Sequence, residues 1–214
     1  MSGGSWTHLL ARRAVRPLLG TGVTPNHLTT LRLLTGLAAC AAFALGNRAG
    51  LWWGGALWLV SAFLDRADGE LARIGNMQSV GGHSYDYYSD GLISVVCFVA
   101  IGIGMRHHWM GDWAIVAGLL SGGSLALINW WAERVEQLGP PGTRVLSGRW
   151  GFDPDDAYYL IAPLAWLGWI GPILVAAAVI TPLIAVAVGI RLLRLLSDPV
   201  SRPACGIQEG RVTD

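Results

Sequence analysis

Leu51-Trp52-Trp53-Gly54-Gly55-Ala56-Leu57-Trp58-Leu59-Val60-Ser61-Ala62-Phe63-Leu64 runs without a break into Asp65-Arg66-Ala67-Asp68-Gly69-Glu70-Leu71-Ala72-Arg73-Ile74, and that junction decides the fold. The first 14 residues are apolar or small, short of the roughly 20 that carry a helix across a bilayer. The helix must therefore continue through Asp65 and Asp68 to about Ile74, which puts carboxylates at the membrane end of a helix and not on a loop. Gly82-His83-Ser84-Tyr85-Asp86-Tyr87-Tyr88-Ser89-Asp90 then opens a third apolar segment. On a helix Asp65 and Asp68 sit about 60° apart and Asp86 and Asp90 about 40° apart, so each pair shares a face. Two such faces turned toward each other could hold divalent metal. The short polar segment between them, with Gly81-Gly82, reads as a connection between antiparallel helices.

The rest of the 214 residues agrees with an all-α polytopic membrane protein: 53 % are hydrophobic and only 14 % charged, well to the apolar side of soluble domains. A net charge of +1 with no basic run argues against nucleic-acid binding. All 15 basic residues are Arg, so Schiff-base chemistry and a phosphate-loop lysine are excluded. Cys40, Cys97 and Cys205 are odd in number and far apart, and read as small apolar residues instead of a disulfide or zinc framework.

Taken in order, residues 1–24 lack a continuous apolar core, so a signal peptide is not expected. Trp6, Leu10, Ala11, Ala14, Val15 and Leu18 fall on one arc and Arg12, Arg13 and Arg16 on another, the pattern of a surface helix on anionic headgroups or of an amphipathic helix packed on protein. A six-helix transmembrane domain over 25–196 follows. Thr24 and Pro25 start its first helix, expected over 28–45, with Arg32 near enough to the end to snorkel to the interface. The others are expected over 51–74, 82–105, 112–132, 156–170 and 172–195, the fifth being short. Gly118 and Gly122 are spaced for close helix packing. The tail, 197–214, is polar and reads as partly disordered. With six crossings only Arg48 and Arg106 of the 15 arginines lie on the side opposite the termini. By the positive-inside rule both termini and the four carboxylates are then cytoplasmic, at an inner cell membrane.

Ionisable groups within membrane segments are costly, which makes each a functional candidate. Simple pairing of Asp65 and Asp68 with Arg66 and Arg73 is the bland alternative, but four carboxylates facing one point repel unless cations neutralise them. Hard oxygen ligands without a His or Cys cluster favour Mg²⁺ or Mn²⁺. Gly69 and Ala72 leave room beside them, and Arg73 supplies a fixed cation suited to phosphate. The pieces describe a two-metal site for a phosphorylated substrate, reachable from lipid and cytosol.

The pattern Asp65-x2-Asp68-Gly69-x2-Ala72-Arg73-x8-Gly82-x3-Asp86-x3-Asp90 resembles the complete signature of the CDP-alcohol phosphotransferase family. The likeness extends to the six-helix layout, the N-terminal surface helix and Thr24-Pro25-Asn26-x2-Thr29. It implies a membrane transferase of phospholipid biosynthesis that moves a phosphatidyl or other substituted phosphate from a CDP-linked donor, such as CDP-diacylglycerol, to a small alcohol with release of CMP. It further implies that Asp65, Asp68, Asp86 and Asp90 hold two Mg²⁺ or Mn²⁺ ions and that Asp90 also accepts the proton of the attacking hydroxyl. By the same likeness Asn26, Thr29, Gly69, Ala72, Arg73, Ser79 and Gly82 contact the cytidine diphosphate, and the protein is a homodimer among membrane lipids.

For the acceptor, Arg134, Arg149 and Arg191 are candidates. Relatives with phosphorylated acceptors begin their fifth helix with a Glu-Arg pair, whereas this chain reads Phe152-Asp153-Pro154-Asp155-Asp156. That departure counts against an anionic acceptor and leaves a neutral polyol or an amino alcohol; the three acids also suit a helix N-terminus. His83 lies close enough to touch substrate, or is merely hydrogen-bonded; His107 and His108 read as solvated loop. The 11 Trp cluster near helix ends as an interfacial belt. A divalent-cation transporter is the rival reading, although transport sites usually lie at the bilayer midplane on broken helices.

Overall fold

The computed structural model describes residues 6–140, 143, 145 and 154–197, and among them every regular element is helical. Helix α1 spans Trp6–Val15, α2 Pro25–Ala44, α3 Arg48–Ile74, α4 Val80–Met105, α5 Trp113–Leu138, α6 Ile161–Trp166 and α7 Ile170–Ser197. Short 3-10 segments, Arg16–Leu18 and Pro154–Leu160, precede α2 and α6. Helices α2, α3 and α4 pack on one another through α2, α5 lies along α4, and α7 lies along α5. Helices α1 and α6 both rest on α3.

The ends of the helices follow their local chemistry. Pro25 occupies the first turn of α2, where its missing N–H costs nothing, and the backbone N–H of Thr24 donates to His27 Nδ1 at 3.3 Å. Asn47 starts α3 by accepting from the Gly50 amide at 2.7 Å, and Ser79 starts α4 by accepting from the Gly82 amide at 3.0 Å. The junction at Leu64–Asp65 is continuous helix: α3 is 27 residues long, about 40 Å at 1.5 Å per residue.

Among the described residues four helices, α2, α4, α5 and α7, are long and apolar enough to cross a membrane. Helix α3 has the length, but Asp65, Arg66, Asp68, Glu70 and Arg73 lower its hydropathy. The expected fifth crossing takes the form of a 3-10 turn followed by the six residues of α6. Close packing is carried by glycine. A Cβ on Gly118 or Gly122 would stand 2.4 Å from the Phe98 carbonyl oxygen or 2.9 Å from that of Val95, so both press α5 onto α4 as their spacing predicts. Cys40 and Cys97 are free and buried in the core with Phe43, Trp58 and Ile93. His107 and His108 are exposed, and His108 Nε2 bonds the Gly46 carbonyl at 3.1 Å.

Two expectations change. Helix α1 does pack on protein, but through Thr7, Ala11 and Val15, while Leu9 and Leu10 are exposed. The same side carries Arg12, which finds an ion-pair partner in Glu70 of α3. Arg32 does not snorkel to an interface. It belongs to the buried stripe of α2 with Thr29, Gly36, Ala39, Cys40 and Phe43, and turns inward because acids on α3 and α4 meet it there. Arg149, Asp153, Cys205 and the tail from 198 lie outside the described residues, as do the side chains of Asp155 and Asp156.

Candidate active site

The antiparallel turn between α3 and α4 brings the two acidic pairs together at one end of the bundle. One carboxylate oxygen each from Asp65, Asp68 and Asp86 lies within 4.8 Å of the others. Asp68 is 3 % exposed and accepts from the Thr29 hydroxyl at 2.7 Å. Arg32, 6 % exposed, donates through Nη1 to Asp86 at 3.0 Å and forms ion pairs through Nη1 with Asp65 at 3.1 Å and through Nη2 with Asp90. Its backbone carbonyl accepts from the Ser61 hydroxyl at 3.0 Å, which ties α2 to α3 at this level. A Cβ on Gly36 would stand 2.9 Å from Ser61 Oγ, so the glycine allows that approach.

One guanidinium shared by three carboxylates cannot neutralise them, and the group keeps an excess of negative charge in a half-buried setting. The donor set fits a hard divalent cation: only oxygen ligands, convergent from two helices, with spacing that a small rotamer adjustment closes onto one ion at about 2.0–2.2 Å per bond. Asp65, Asp68 and Asp86 are the residues placed to hold it. Asp90 lies one turn further along α4, engaged by Arg32.

The acidic group separates two cavities. One, of about 340 Å³ between α2, α3 and the start of α4, is lined by Asn26, Thr29, Gly69, Ala72, Arg73, Ser79 and Gly82 together with Asp68, His83 and Asp86. All seven residues expected at the cytidine diphosphate thus line one space. A Cβ on Gly82 would lie 2.9 Å from Ser79 Oγ and 3.3 Å from Asn26 Oδ1, so the glycine lets the α4 start close on Asn26. Arg73 Nη2 donates to Glu70 at 2.8 Å along the same helix.

The other cavity, about 120 Å³, lies on the far side and is lined by Asp65, Asp90, Arg32, Arg66 and Ser94, with Asn129, Tyr158 and Tyr159. The 3-10 segment before α6 is pinned here: Trp58 Nε1 donates to the Tyr158 carbonyl at 2.8 Å, and the Tyr159 hydroxyl donates to the Ala62 carbonyl at 2.8 Å. Sequence reasoning missed Arg32, Asn129 and both tyrosines. The Tyr-Tyr pair was overshadowed by the acids before it, and a lone Asn on an apolar helix carries a signal only through its cost in lipid. Arg134 lines a third space with Tyr87, Tyr88 and Glu133, which shares Asn129 with the second cavity. Arg191 is exposed on α7 and lines none of the three.

Similar folds exist among solved structures. The Mycobacterium tuberculosis phosphatidylinositol phosphate synthase PgsA1 with CDP-DAG bound superposes with a TM-score of 0.68 at 20 % identity, over 94 % of this chain and 99 % of that one. The same protein in complex with manganese and citrate gives 0.63 at 20 % identity, over 94 % and 93 %. Its apo form gives 0.62 at 20 % identity, over 89 % and 98 %. At such identity the likeness is one of fold. No curated protein matches the sequence. A family model described as CDP-alcohol phosphatidyltransferase matches residues 22–190, which takes in every candidate residue except Arg191. The chain belongs to the CDP-alcohol phosphatidyltransferase family.

Proposed function

We propose that this protein transfers a phosphatidyl group from CDP-diacylglycerol to the hydroxyl of a small alcohol, releasing CMP. The observation that carries the reading is the acidic group standing between two cavities, one with Arg73, Asn26 and Gly69 and the other with Asp90, Arg32, Arg66 and the polar side chains of Asn129, Tyr158 and Tyr159. The diphosphate of the donor would lie in the first cavity, with Arg73 and the small residues Gly69 and Gly82 beside it. The CDP-DAG held by PgsA1 supports this choice of donor. Mg²⁺ or Mn²⁺ on Asp65, Asp68, Asp86 and Asp90 would neutralise phosphoryl oxygens and leaving group, and the manganese complex of PgsA1 supports that part.

The acceptor would enter the second cavity, where Asn129, Tyr158, Tyr159 and Ser94 offer hydrogen bonds to hydroxyls or an amine. Asp90 takes the proton from the attacking hydroxyl, the oxygen bonds to the phosphorus that carries the diacylglycerol, and the bond from that phosphorus to the CMP oxygen breaks. Both arginines in that lining are already engaged, Arg32 by Asp65, Asp86 and Asp90 and Arg66 against His8, which favours a neutral polyol or an amino alcohol over a phosphorylated acceptor. Of the three arginines suggested for the acceptor, Arg134 could reach this space by way of Asn129. In the same reading α3 and the segment 154–166 complete six crossings, the acidic end faces the cytoplasm, and two copies associate as a homodimer.

The test is CMP release from CDP-diacylglycerol with Mg²⁺ or Mn²⁺, screened over inositol, serine, choline, glycerol phosphate and inositol phosphate, with lipid products identified by mass. Metal-dependent CMP release with a neutral acceptor is expected. Cation flux in vesicles with no CMP release from any acceptor would sink the proposal.

A further inference from the structure

The two free positions between Gly69 and Ala72 of the acidic motif hold Glu70 and Leu71, and Glu70 is a carboxylate only 3 % exposed. Each residue turns the helix by about 100°, so Arg66, Glu70 and Arg73 follow one side of α3 while Asp65, Asp68 and Ala72 follow another. Glu70 is therefore not part of the acidic group that faces α2 and α4. Both its oxygens are taken. Oε1 accepts from Arg73 Nη2 at 2.8 Å and meets His8 Nδ1 at 3.1 Å, and Oε2 accepts from Arg12 Nε at 3.0 Å. His8 Nε2 lies 3.3 Å from Arg66 Nη1. One buried carboxylate thus links α1 to the arginine that lines the 340 Å³ cavity.

We propose that Glu70 is a positioning residue for the CDP-linked donor: it holds the Arg73 guanidinium at the wall of that cavity, and α1 is the brace that keeps Glu70 in place. The inference rests on the assignment of the cavity to the donor. Arg73 is 46 % exposed in its side chain, and a free arginine there would lose its large rotamer entropy at each binding event. Held by Glu70 at the favourable spacing of three residues, it meets the diphosphate already oriented. Docking α1 alone would need only the pair to Arg12; the second oxygen is spent on Arg73.

The experiment uses full-length protein in detergent with Mg²⁺ and CDP-diacylglycerol as the probe. Its Kd is measured by calorimetry, and turnover with whichever acceptor supports the wild type. Glu70→Gln should raise the donor Kd about tenfold, as expected for weakened charge-assisted hydrogen bonds, with kcat within about twofold of wild type. Glu70→Asp should recover part of the affinity. In an Arg73→Gln background Glu70→Gln should have no further effect on Kd, because its action passes through Arg73. Additive losses in the double variant, or an unchanged Kd with lowered thermal stability, would overturn the proposal. If Glu70→Gln fails to fold, Arg12→Gln and His8→Ala test the brace; each should raise the donor Kd by about two- to fivefold, and an unchanged Kd in both overturns it. A wild-type protein that neither binds CDP-diacylglycerol nor releases CMP overturns the function as well, so the two failures are told apart.

Discussion

Arg32→Gln removes a side chain that touches three of the four acids, and its cost can be worked from the contacts. Arg32 is buried, while the carboxylates it meets at Asp65, Asp86 and Asp90 are 27 %, 36 % and 41 % exposed. Breaking a fully buried charge pair from one side costs about 3–5 kcal/mol. Partial exposure of the acids screens some of this, so we expect a loss of about 2–4 kcal/mol with chelator present. For a chain of this size that is a fall in Tm of roughly 5–15 °C. With divalent metal the sign of the effect changes. Arg32 competes with a cation for the same oxygens, and a unit positive charge about 4 Å away repels an incoming divalent ion by up to about 8 kcal/mol at an effective dielectric of 20. Allowing for screening, the variant should bind Mg²⁺ at least about tenfold more tightly and gain more Tm from Mg²⁺ than the wild type. The assay is thermal unfolding in detergent with EDTA and across a Mg²⁺ series. A variant as stable as wild type in EDTA refutes the structural half of the reasoning, and weaker Mg²⁺ binding refutes the competition half.

Three further outcomes follow from single contacts. Asp90→Asn should abolish CMP release while leaving the Kd for CDP-diacylglycerol within a few-fold, read by single-turnover kinetics beside calorimetry; retained turnover removes Asp90 as the base. Tyr159→Phe deletes the hydrogen bond to the Ala62 carbonyl, and should cost about 1 kcal/mol in stability and raise the KM for the acceptor without changing that for the donor. Gly104→Ala would put a Cβ 2.2 Å from the Phe43 carbonyl oxygen, where backbone has to move. It should lower stability by about 1–3 kcal/mol by thermal unfolding, with the acidic end of the bundle unaffected in metal binding.

What could be read from the sequence, and what could not, divides by range. The continuation of α3 through Asp65 is expected because 14 apolar residues are short of a bilayer crossing, and the helix does run unbroken through the carboxylates. The start at Pro25 and the pressing of Gly118 and Gly122 onto α4 follow from chemistry within a few residues, whereas α4, expected from 82, starts at Val80 behind a Ser79 cap. Arg32 was misread because its position, about two turns into α2, permits either an outward or an inward path. The outward path is right for an arginine facing lipid. The inward path wins once acids on two other helices converge on the stripe that carries it, which no local pattern contains.

The same reasoning accounts for α1 and Glu70. A hydrophobic arc predicts which side of an isolated helix prefers an apolar medium, and by that rule Leu10 should be covered and Arg12 exposed to solvent. Here the surface offered by α3 is itself charged at Glu70, so His8 and Arg12 turn toward protein between the small buried residues Thr7, Ala11 and Val15. Leu9 and Leu10 are left facing outward, where a membrane surface could receive them. A helix placed this way can touch the protein through Thr7, His8, Ala11, Arg12 and Val15 and leave Leu9 and Leu10 for lipid at once. The two readings of the N-terminal segment, packed on protein or lying on a membrane, are therefore compatible, and the carboxylate that reconciles them is the one bonded to Arg73.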